Sequence, residues 1–305
     1  MDFITPIQLG LLYSIMALGV FITFRILDLP DLTVEGSVVL GMAVCAMITK
    51  AGHPYLALFA SIIVGALAGL FTGILQTKLK INPILSGILT MTSLYSINFY
   101  VTGGLANVAL TKERTIFTDL NSIIPNSKPL SYMVTALIIT IIVSALLIIF
   151  FKTKPGLAIR ATGDNEDMVR SSSINANFTK CAGLAIGNAC VALSGALIGQ
   201  QQMFFDSGFG IGIVVIGLAA VIIGEAVFGK RSVTIGIIST VIGSIIYYLI
   251  IALARRIDLF PSYGFKLATA LIVIIALSFP AVKDWWELHK IRKRAKESLN
   301  NIKYN

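Results

Sequence analysis

The sequence predicts an all-α polytopic membrane protein with about nine transmembrane helices, within a range of eight to ten. Of its 305 residues, 56% are hydrophobic and only 13% are charged, which is about half the charged fraction of a soluble domain. Apolar runs of about twenty residues recur along the chain, and each is long enough to cross a bilayer core as a helix. The runs are continuous rather than alternating, which excludes a β-barrel.

The predicted spans define a transmembrane domain, 1–282, followed by a basic cytoplasmic tail, 283–305. The tail carries seven lysines and arginines and is predicted to lie on the inner leaflet as an amphipathic helix. The N-terminus lacks the basic region of a signal peptide, so the first run is expected to remain as a span. The nine predicted spans are 6–24, 34–50, 54–77, 83–102, 131–151, 178–200, 210–228, 232–253 and 265–282.

The basic residues follow the positive-inside rule. The net charge is +9, and the lysines and arginines stand at the ends of apolar segments and in the tail. With the C-terminus in the cytoplasm, ten basic loop residues and the seven of the tail face the cytoplasm, and the other seven of the 24 face outward. This distribution predicts an outer N-terminus, and it is not the footprint of a nucleic-acid-binding protein.

A polar interval, 152–180, carries helix-start chemistry. Asp164 is expected to cap a helix, because its carboxylate can accept hydrogen bonds from free backbone N–H groups. Glu166 and Asp167 place negative charge at the positive end of the helix dipole. The interval therefore predicts a short cytoplasmic surface helix near 164–174. Its two interpretations are an ordinary solvated loop and a docking helix for a partner protein.

A second polar interval, 25–35, interrupts the apolar segments near the N-terminus. Pro30 removes a backbone donor and disfavours helix at the residue before it, so a broken helix is predicted near 28–36. If the break lies at the interface, its carboxylates are simply solvated. If it lies within the membrane, Asp31 and Glu35 line a polar route, because intramembrane carboxylates are costly and usually functional.

Other polar groups within the spans allow two readings. Glu225 lies within about a turn of Lys230 and Arg231, so pairing at the cytoplasmic edge competes with a role in a pathway. Asn98 and Asn188 can hydrogen-bond between helices or face a pathway.

No enzymatic or metal-binding motif is present. The three cysteines have no disulfide or metal-ligand spacing, and the two histidines, His53 and His289, are far apart. No P-loop occurs, and the glycine run 208–212 follows no strand and has apolar surroundings. We therefore expect no catalytic residues and no bound metal. The polar interval 103–130 is long enough for a small exterior cap.

Four separated stretches, in order, resemble the permease subunits of ABC importers in the branched-chain amino acid and ribose permease superfamily. The closest similarity is to the branch of tryptophan/tyrosine transport permeases, and it covers most of the chain. The stretches are 27–37 (LDLPDLTVEGS), 82–98 (NPILSGILTMTSLYSIN), 156–165 (GLAIRATGDN) and 217–226 (GLAAVIIGEA).

This resemblance implies a polytopic core around a central pathway in a bacterial plasma membrane. Two copies of the permease would form the pathway, with ATPase subunits below and an extracellular substrate-binding lipoprotein above. The helix near 164–175 would be the coupling helix, and the broken helix at 31–36 would lie near the pathway. ATP would be bound by the partner subunit, so the chain itself would need no cofactor.

Two functional hypotheses follow. In the first, the chain is the permease of an ATP-driven importer of aromatic or branched-chain amino acids; the second is an ion-coupled secondary carrier of a small polar solute. The expected coupling residues are Asp164, Glu166, Asp167 and Arg170, and the expected pathway residues are Asp31, Glu35, Gly36, Asn98 and Glu225.

Overall fold

The computed structural model describes residues 3–111, 113–123, 128–229 and 232–256, and the single positions 270, 271, 274 and 278. The chain divides into a compact unit, Met1–Ala252, and a second unit, Leu253–Asn305. Apart from those single positions, the predicted ninth span, 265–282, and the predicted tail, 283–305, lie outside the described residues.

The described part of the chain is almost entirely helical, which confirms the predicted fold class. Helix α1 continues into a π-helical turn, Phe21–Ile26, before the chain breaks. The elements in order are α1 Ile4–Val20, α2 Thr33–Lys50, α3 Pro54–Thr77, α4 Pro83–Val101, β1 Asn107–Ala109, α5 Ile116–Ile123, α6 Lys128–Lys152, α7 Lys154–Asp164, α8 Glu166–Ser171, α9 Ala176–Gln202, β2 Phe204–Asp206, α10 Ile213–Phe228 and α11 Val233–Arg256.

Among the described residues, seven helices are long and apolar enough to cross a membrane: α1 with its π-helical turn, α2, α3, α4, α6, α9 and α11. Helix α10 is apolar but has only 16 residues, because the chain reaches its first residue through a loop, 207–212. The helix therefore begins three residues later than the predicted span, 210–228. The predicted break between the first two spans is confirmed, and it covers 27–32.

Three helices form the centre of the bundle. In the most apolar stretch of each helix, 78–83% of the residues are buried in α1, α2 and α9, against 28% in α4 and α6. Helix α1 runs antiparallel to α9, since Ser194 donates a hydrogen bond to the carbonyl of Leu12 and Gly187 packs on Gly19. Helix α2 runs parallel to α9, so both α1 and α2 are positioned by this one 27-residue helix.

Helix α3 packs on α9 through glycines at four-residue spacing, as the small-residue pattern predicts. A side chain at Gly69 would overlap the carbonyl oxygen of Leu184, and one at Gly65 would overlap Ala192. A Cβ atom at Gly73 would lie 2.8 Å from the Cα atom of Cys181. The two backbones therefore touch with no layer of side chains between them.

One end of the bundle is closed by a two-stranded ribbon and by hydrogen bonds from a buried amide. Strands β1 and β2 pair antiparallel. The Gln200 amide accepts from the N–H of Ile116 at 3.0 Å and donates to the carbonyl of Pro54 at 2.9 Å. β1 and α5 fall within the interval expected to form a cap. The opposite end of the bundle carries α7 and α8. We call the end with the two strands the ribbon end, and the end with α7 and α8 the α8 end.

We expect Gly69→Val to separate α3 from α9, because the added side chain would overlap backbone and not a movable side chain. Overpacking of this kind costs about 2 kcal/mol or more. Thermal unfolding of the purified chain in detergent should show a lower midpoint. The matched control is Leu67→Val on the same helix, where the side chain is 57% exposed; a midpoint lowered equally in both variants would contradict this packing.

Candidate functional site

The break between α1 and α2 is a non-helical segment whose backbone groups are satisfied locally. Pro30 has no N–H to donate. The N–H of Leu27 donates to the carbonyl of Ile22, and that of Leu29 to the carbonyl of Thr23, each at 3.0 Å. The π-helical turn thus supplies acceptors for the chain that leaves it. Irregular backbone of this kind survives among membrane helices only where protein or a wet cavity surrounds it.

Asp31 is the fully buried carboxylate of this break, with an exposed fraction of 0%. Its Oδ1 accepts from the N–H of Thr33, the first residue of α2, at 2.9 Å. Its Oδ2 accepts from Nδ2 of Asn188 on α9 at 2.7 Å. The carboxylate therefore stabilises the N-terminus of α2, where negative charge is favourable, and ties it to the central helix.

The depth of this contact follows from the geometry of α9. Asn188 lies about 18 Å from the first residue of a helix that is about 40 Å long, at a rise of 1.5 Å per residue. Asp31 is therefore close to the middle of the bundle and not at an interface. Of the two interpretations of the break, the structure supports the one within the helix bundle.

Hydroxyl groups extend this polar centre across three helices. The Oγ1 atoms of Thr33 on α2 and Thr72 on α3 are 2.7 Å apart, and Thr72 donates to Oγ1 of Thr90 on α4 at 2.9 Å. All three residues are buried. These hydrogen bonds fix the start of α2 against two further helices.

Glu35, in the first turn of α2, meets the start of α10. Its Oε1 accepts from the N–H of Gly212 at 3.0 Å, and Gly212 has φ +81°, which glycine adopts without steric cost. A side chain at Gly210 would overlap the carbonyl oxygen of Glu35. The glycine run 208–212 thus allows this loop to reach α2 at the depth of Asp31, so α2 and α10 both begin inside the bundle.

A cavity of about 330 Å³ opens beside Glu35. It brings together three of the predicted pathway residues, namely Glu35, Gly36 and Asn98. Asn98 is 2% exposed, and its Oδ1 has no hydrogen-bond partner among the described residues. The remaining lining residues are Val39, Met91, Thr92, Tyr95, Ser207, Gly208, Gly210 and Ile211.

The other two predicted pathway residues do not line this cavity. Asp31 is buried one turn before Glu35. Glu225 lies at the α8 end, where its Oε1 accepts from Nε of Arg25 at 2.5 Å. Lys230 and Arg231, its expected partners, fall outside the described residues. Arg25, Glu225, Arg160 and Asp164 instead line a second cavity of about 220 Å³.

The polar interval near 164–174 folds differently from the prediction. Asp164 was expected to be an N-cap, but it is the last residue of α7. Asn165 caps α8, and its Oδ1 accepts from the N–H of Met168 at 2.9 Å. The predicted helix of about ten residues is therefore a six-residue helix, Glu166–Ser171, preceded by an eleven-residue one. Both residues suit a cap, and only the turn between α7 and α8 decides between them.

Side-chain hydrogen bonds tie α8 to the start of α9. Glu166 accepts from Nζ of Lys180 at 2.5 Å and from Arg170 at 2.7 Å, and Arg170 also donates to Oδ1 of Asn177 at 2.9 Å. The hydrogen bond from Lys180, together with Arg170, holds the pKa of Glu166 below its usual 4.5 although partial burial opposes this. Of the expected coupling residues, Glu166 and Arg170 thus hold the shape of this corner, and Asp167 is exposed.

Helix α7 lies directly against the start of the break. A side chain at Gly163 would overlap the carbonyl oxygen of Ile26, and Ile159 packs beside Leu27 near Gly183 of α9. Thr162 and Thr179 share a hydrogen bond of 2.7 Å. The α8 end of the molecule is therefore in contact with the segment that leads to Asp31.

No group of three or more His, Cys, Asp or Glu side chains among the described residues is placed to hold a metal ion. The three cysteines are free. The candidate site is an open cavity with one carboxylate in its wall, beside a break that is connected through α9 to a short helix at one end.

Comparison with known proteins identifies the family. The profile of the branched-chain amino acid transport system / permease component family matches residues 4–277. The chain belongs to this permease family. It is a multi-pass membrane protein and the permease component of an ABC transport system.

Individual relatives extend this result. The permease is 38% identical to a tyrosine transport system permease protein of Clostridioides difficile over 88% of each chain. It is 30% identical to an uncharacterized protein of Rickettsia prowazekii, over 90% of this chain and 96% of the relative. A ribose import permease protein of Haemophilus influenzae is 26% identical, over 87% of this chain and 80% of the relative. No solved structure matches the chain.

We expect Asn188→Leu in this permease to leave the buried Asp31 carboxylate without its amide donor. Loss of one partner of a buried charged group costs about 3 kcal/mol, so the thermal midpoint should fall. The double variant Asp31→Asn/Asn188→Asp exchanges the two groups and can re-form their hydrogen bond, so it should recover part of the loss. A double variant no more stable than Asn188→Leu would contradict this role.

The tie between α8 and α9 should depend on pH through Glu166. Because the pKa of Glu166 is lowered in the folded protein, the stabilisation is present above the ordinary carboxyl pKa and is lost as the pH falls through the lowered value. Hydrogen exchange of 166–171, corrected for intrinsic rates, should therefore rise below about pH 4. Glu166→Gln should exchange faster already at neutral pH and lose this dependence; an unchanged profile would exclude the tie.

Proposed function

We propose that this permease is the membrane-spanning subunit of an ATP-driven importer of an aromatic or branched-chain amino acid, with ATP bound and hydrolysed on a separate subunit. The observation that carries the proposal is the continuous contact from α8 through α9 to the break beside the cavity. The tyrosine transport permease, 38% identical, supports the substrate class, and the family supports the ATPase partner.

The contact path gives a physical route for the coupling. Glu166 bonds to Lys180 at the start of α9, and Asn188 in the middle of α9 bonds to Asp31. Asp31 in turn holds the start of α2, which carries Glu35. A partner that binds α8 differently in two states would therefore shift α2 relative to α4, which forms the other wall of the cavity.

The surface available to an ATPase is the outward face of α8. Asp167 is exposed, and the side chain of Met168 is 54% exposed next to it. Val169, by contrast, is buried and packs inward. Asp167 and Met168 are thus the contact residues in this proposal, and Glu166 and Arg170 keep the helix in place.

The charge distribution supports placing the α8 end in the cytoplasm of a bacterial plasma membrane. Helix ends and loops at that end carry Lys78, Lys80, Lys152 and Lys154, as the positive-inside rule favours. The ribbon end then faces outward, towards a substrate-binding lipoprotein, and the C-terminus is cytoplasmic.

A second copy of the chain would complete the pathway. The exposed face of α4 carries three hydroxyl residues, Thr92, Ser93 and Ser96, among apolar side chains such as Ile97, beside the opening of the cavity. The exposed face of α3 is apolar, with Phe59, Ile63 and Leu67, as suits a lipid contact. The hydroxyl residues on α4 support a homodimer whose copies face each other across this helix.

The direct test is uptake in proteoliposomes that contain the permease with its ATPase and binding lipoprotein. Uptake of radiolabelled tyrosine or leucine should require ATP on the side of the membrane that carries the ATPase. It should stop when a non-hydrolysable analogue replaces ATP. The intramembrane carboxylates would also suit an ion-coupled carrier. Uptake by the permease alone, driven by an ion gradient without ATP, would overturn the proposal in favour of such a carrier.

Met168→Asp should prevent the ATPase subunit from co-purifying with the permease, because it places a charge in the centre of the contact surface. Its exposure predicts an unchanged thermal midpoint. The matched control is Leu105→Asp, 53% exposed at the ribbon end, which should retain the ATPase. Retention by both variants would refute docking on α8.

A further inference from the structure

The cavity beside Glu35 presents acceptor groups without matching donors. Gly212 makes the one hydrogen bond to the Glu35 carboxylate that the described residues provide. The Oδ1 atom of Asn98 is buried and has no partner in that same part of the chain. The described residues that line the cavity include no lysine or arginine. A cavity that is lined by a carboxylate and by a residue with an unpartnered amide oxygen favours a ligand that carries positive charge and several N–H donors.

The remainder of the cavity wall is largely apolar. Val39, Met91 and Ile211 line it together with the ring of Tyr95. The Tyr95 ring is 58% exposed and is held by an edge contact with Phe99, with centroids 5.1 Å apart. Methionine and tyrosine side chains accommodate aromatic or branched aliphatic groups. A volume of about 330 Å³ is at the lower end of the range for small-molecule sites.

We propose that this cavity recognises the amine end of the transported amino acid. The ammonium group donates to the Glu35 carboxylate and, once the buried Asn98 amide turns towards the cavity, to its Oδ1, and the substrate side chain packs against Met91 and Tyr95. The substrate carboxylate meets no positive side chain among the lining residues and is directed to the open side. This assignment rests on the proposed function and adds the group by which the permease itself selects its substrate.

The position of the two acceptors links recognition to the moving part of the proposed mechanism. Glu35 lies one turn beyond Asp31 on α2, and Asn98 belongs to α4. Gly36 packs against Met91 and Leu94 of α4, so the two helices are in contact at the ligand. A shift of α2 along α4 changes the distance between the two acceptors and thereby the affinity for the ammonium group.

The test is binding to the permease alone, reconstituted in lipid nanodiscs and studied by equilibrium dialysis with radiolabelled probes. Tyramine and 3-methylbutylamine carry an amine and no carboxylate. The acids 3-(4-hydroxyphenyl)propionate and 4-methylpentanoate carry matching side chains and no amine. At least one amine should bind ten times more tightly, or better, than the acid with the same side chain. Equal or weaker binding of both amines would overturn the proposal.

Two variants assign the binding to these residues. Glu35→Gln removes the charge and keeps an acceptor for the N–H of Gly212, so the fold is preserved while amine binding weakens at least tenfold. Asn98→Ala removes the amide oxygen and should weaken it severalfold. The controls are Glu113→Gln and Asn107→Ala, which remove a charge and an amide from residues that do not line the cavity, and both should bind as the unaltered chain does.

The outcomes separate this inference from the proposed function. Amine binding that is unaffected by Glu35→Gln and Asn98→Ala would show that the ligand lies elsewhere, which refutes the inference. ATP-driven uptake can still be observed in that case, because dialysis involves no ATPase. Conversely, amine-selective binding that depends on Glu35 supports the inference even if uptake proves to need an ion gradient.

Discussion

The hydrogen bond between Asp31 and Asn188 is the contact on which the rest of the structure depends. A helix that begins in the middle of a membrane bundle leaves free N–H groups where no bulk water can satisfy them. The Asp31 carboxylate accepts one of these from Thr33, and α9 supplies the donor that compensates its burial. The start of α2, and with it Glu35 and the cavity, is positioned by this pair.

A second interrupted segment meets the first at the same depth. The chain returns from the ribbon end through 207–212, and α10 begins next to Glu35 of α2. The Glu35 carboxylate accepts a hydrogen bond from the N–H of Gly212. The N-termini of α2 and α10 therefore both point their positive dipole ends towards one pair of carboxylates. Two helix starts within the bundle and two acids stabilise each other, and this explains how polar groups remain among apolar helices.

The sequence was sufficient for the elements whose causes are local. Continuous apolar runs predicted the spans, and Pro30 with its neighbouring acids predicted the break. The partners were missed wherever they are distant in the chain: Asn188 is 157 positions from Asp31, and Arg25 is 200 positions from Glu225. Neither pair carries a local signal. Asn165 was missed for a different reason, since Asp164 is an equally good cap and the turn between two helices decides between them.

The close packing of α9 against α2 and α3 limits which residues can occupy the faces where these helices meet. Gly41 and Gly195 bring the backbones of α2 and α9 together, as Gly69 does for α3 and α9. Because a Cβ atom at any of these glycines would overlap backbone, no larger residue can replace them without separating the helices. The faces along which α9 meets α2 and α3 are therefore expected to tolerate far less variation in sequence than the outer faces of the bundle.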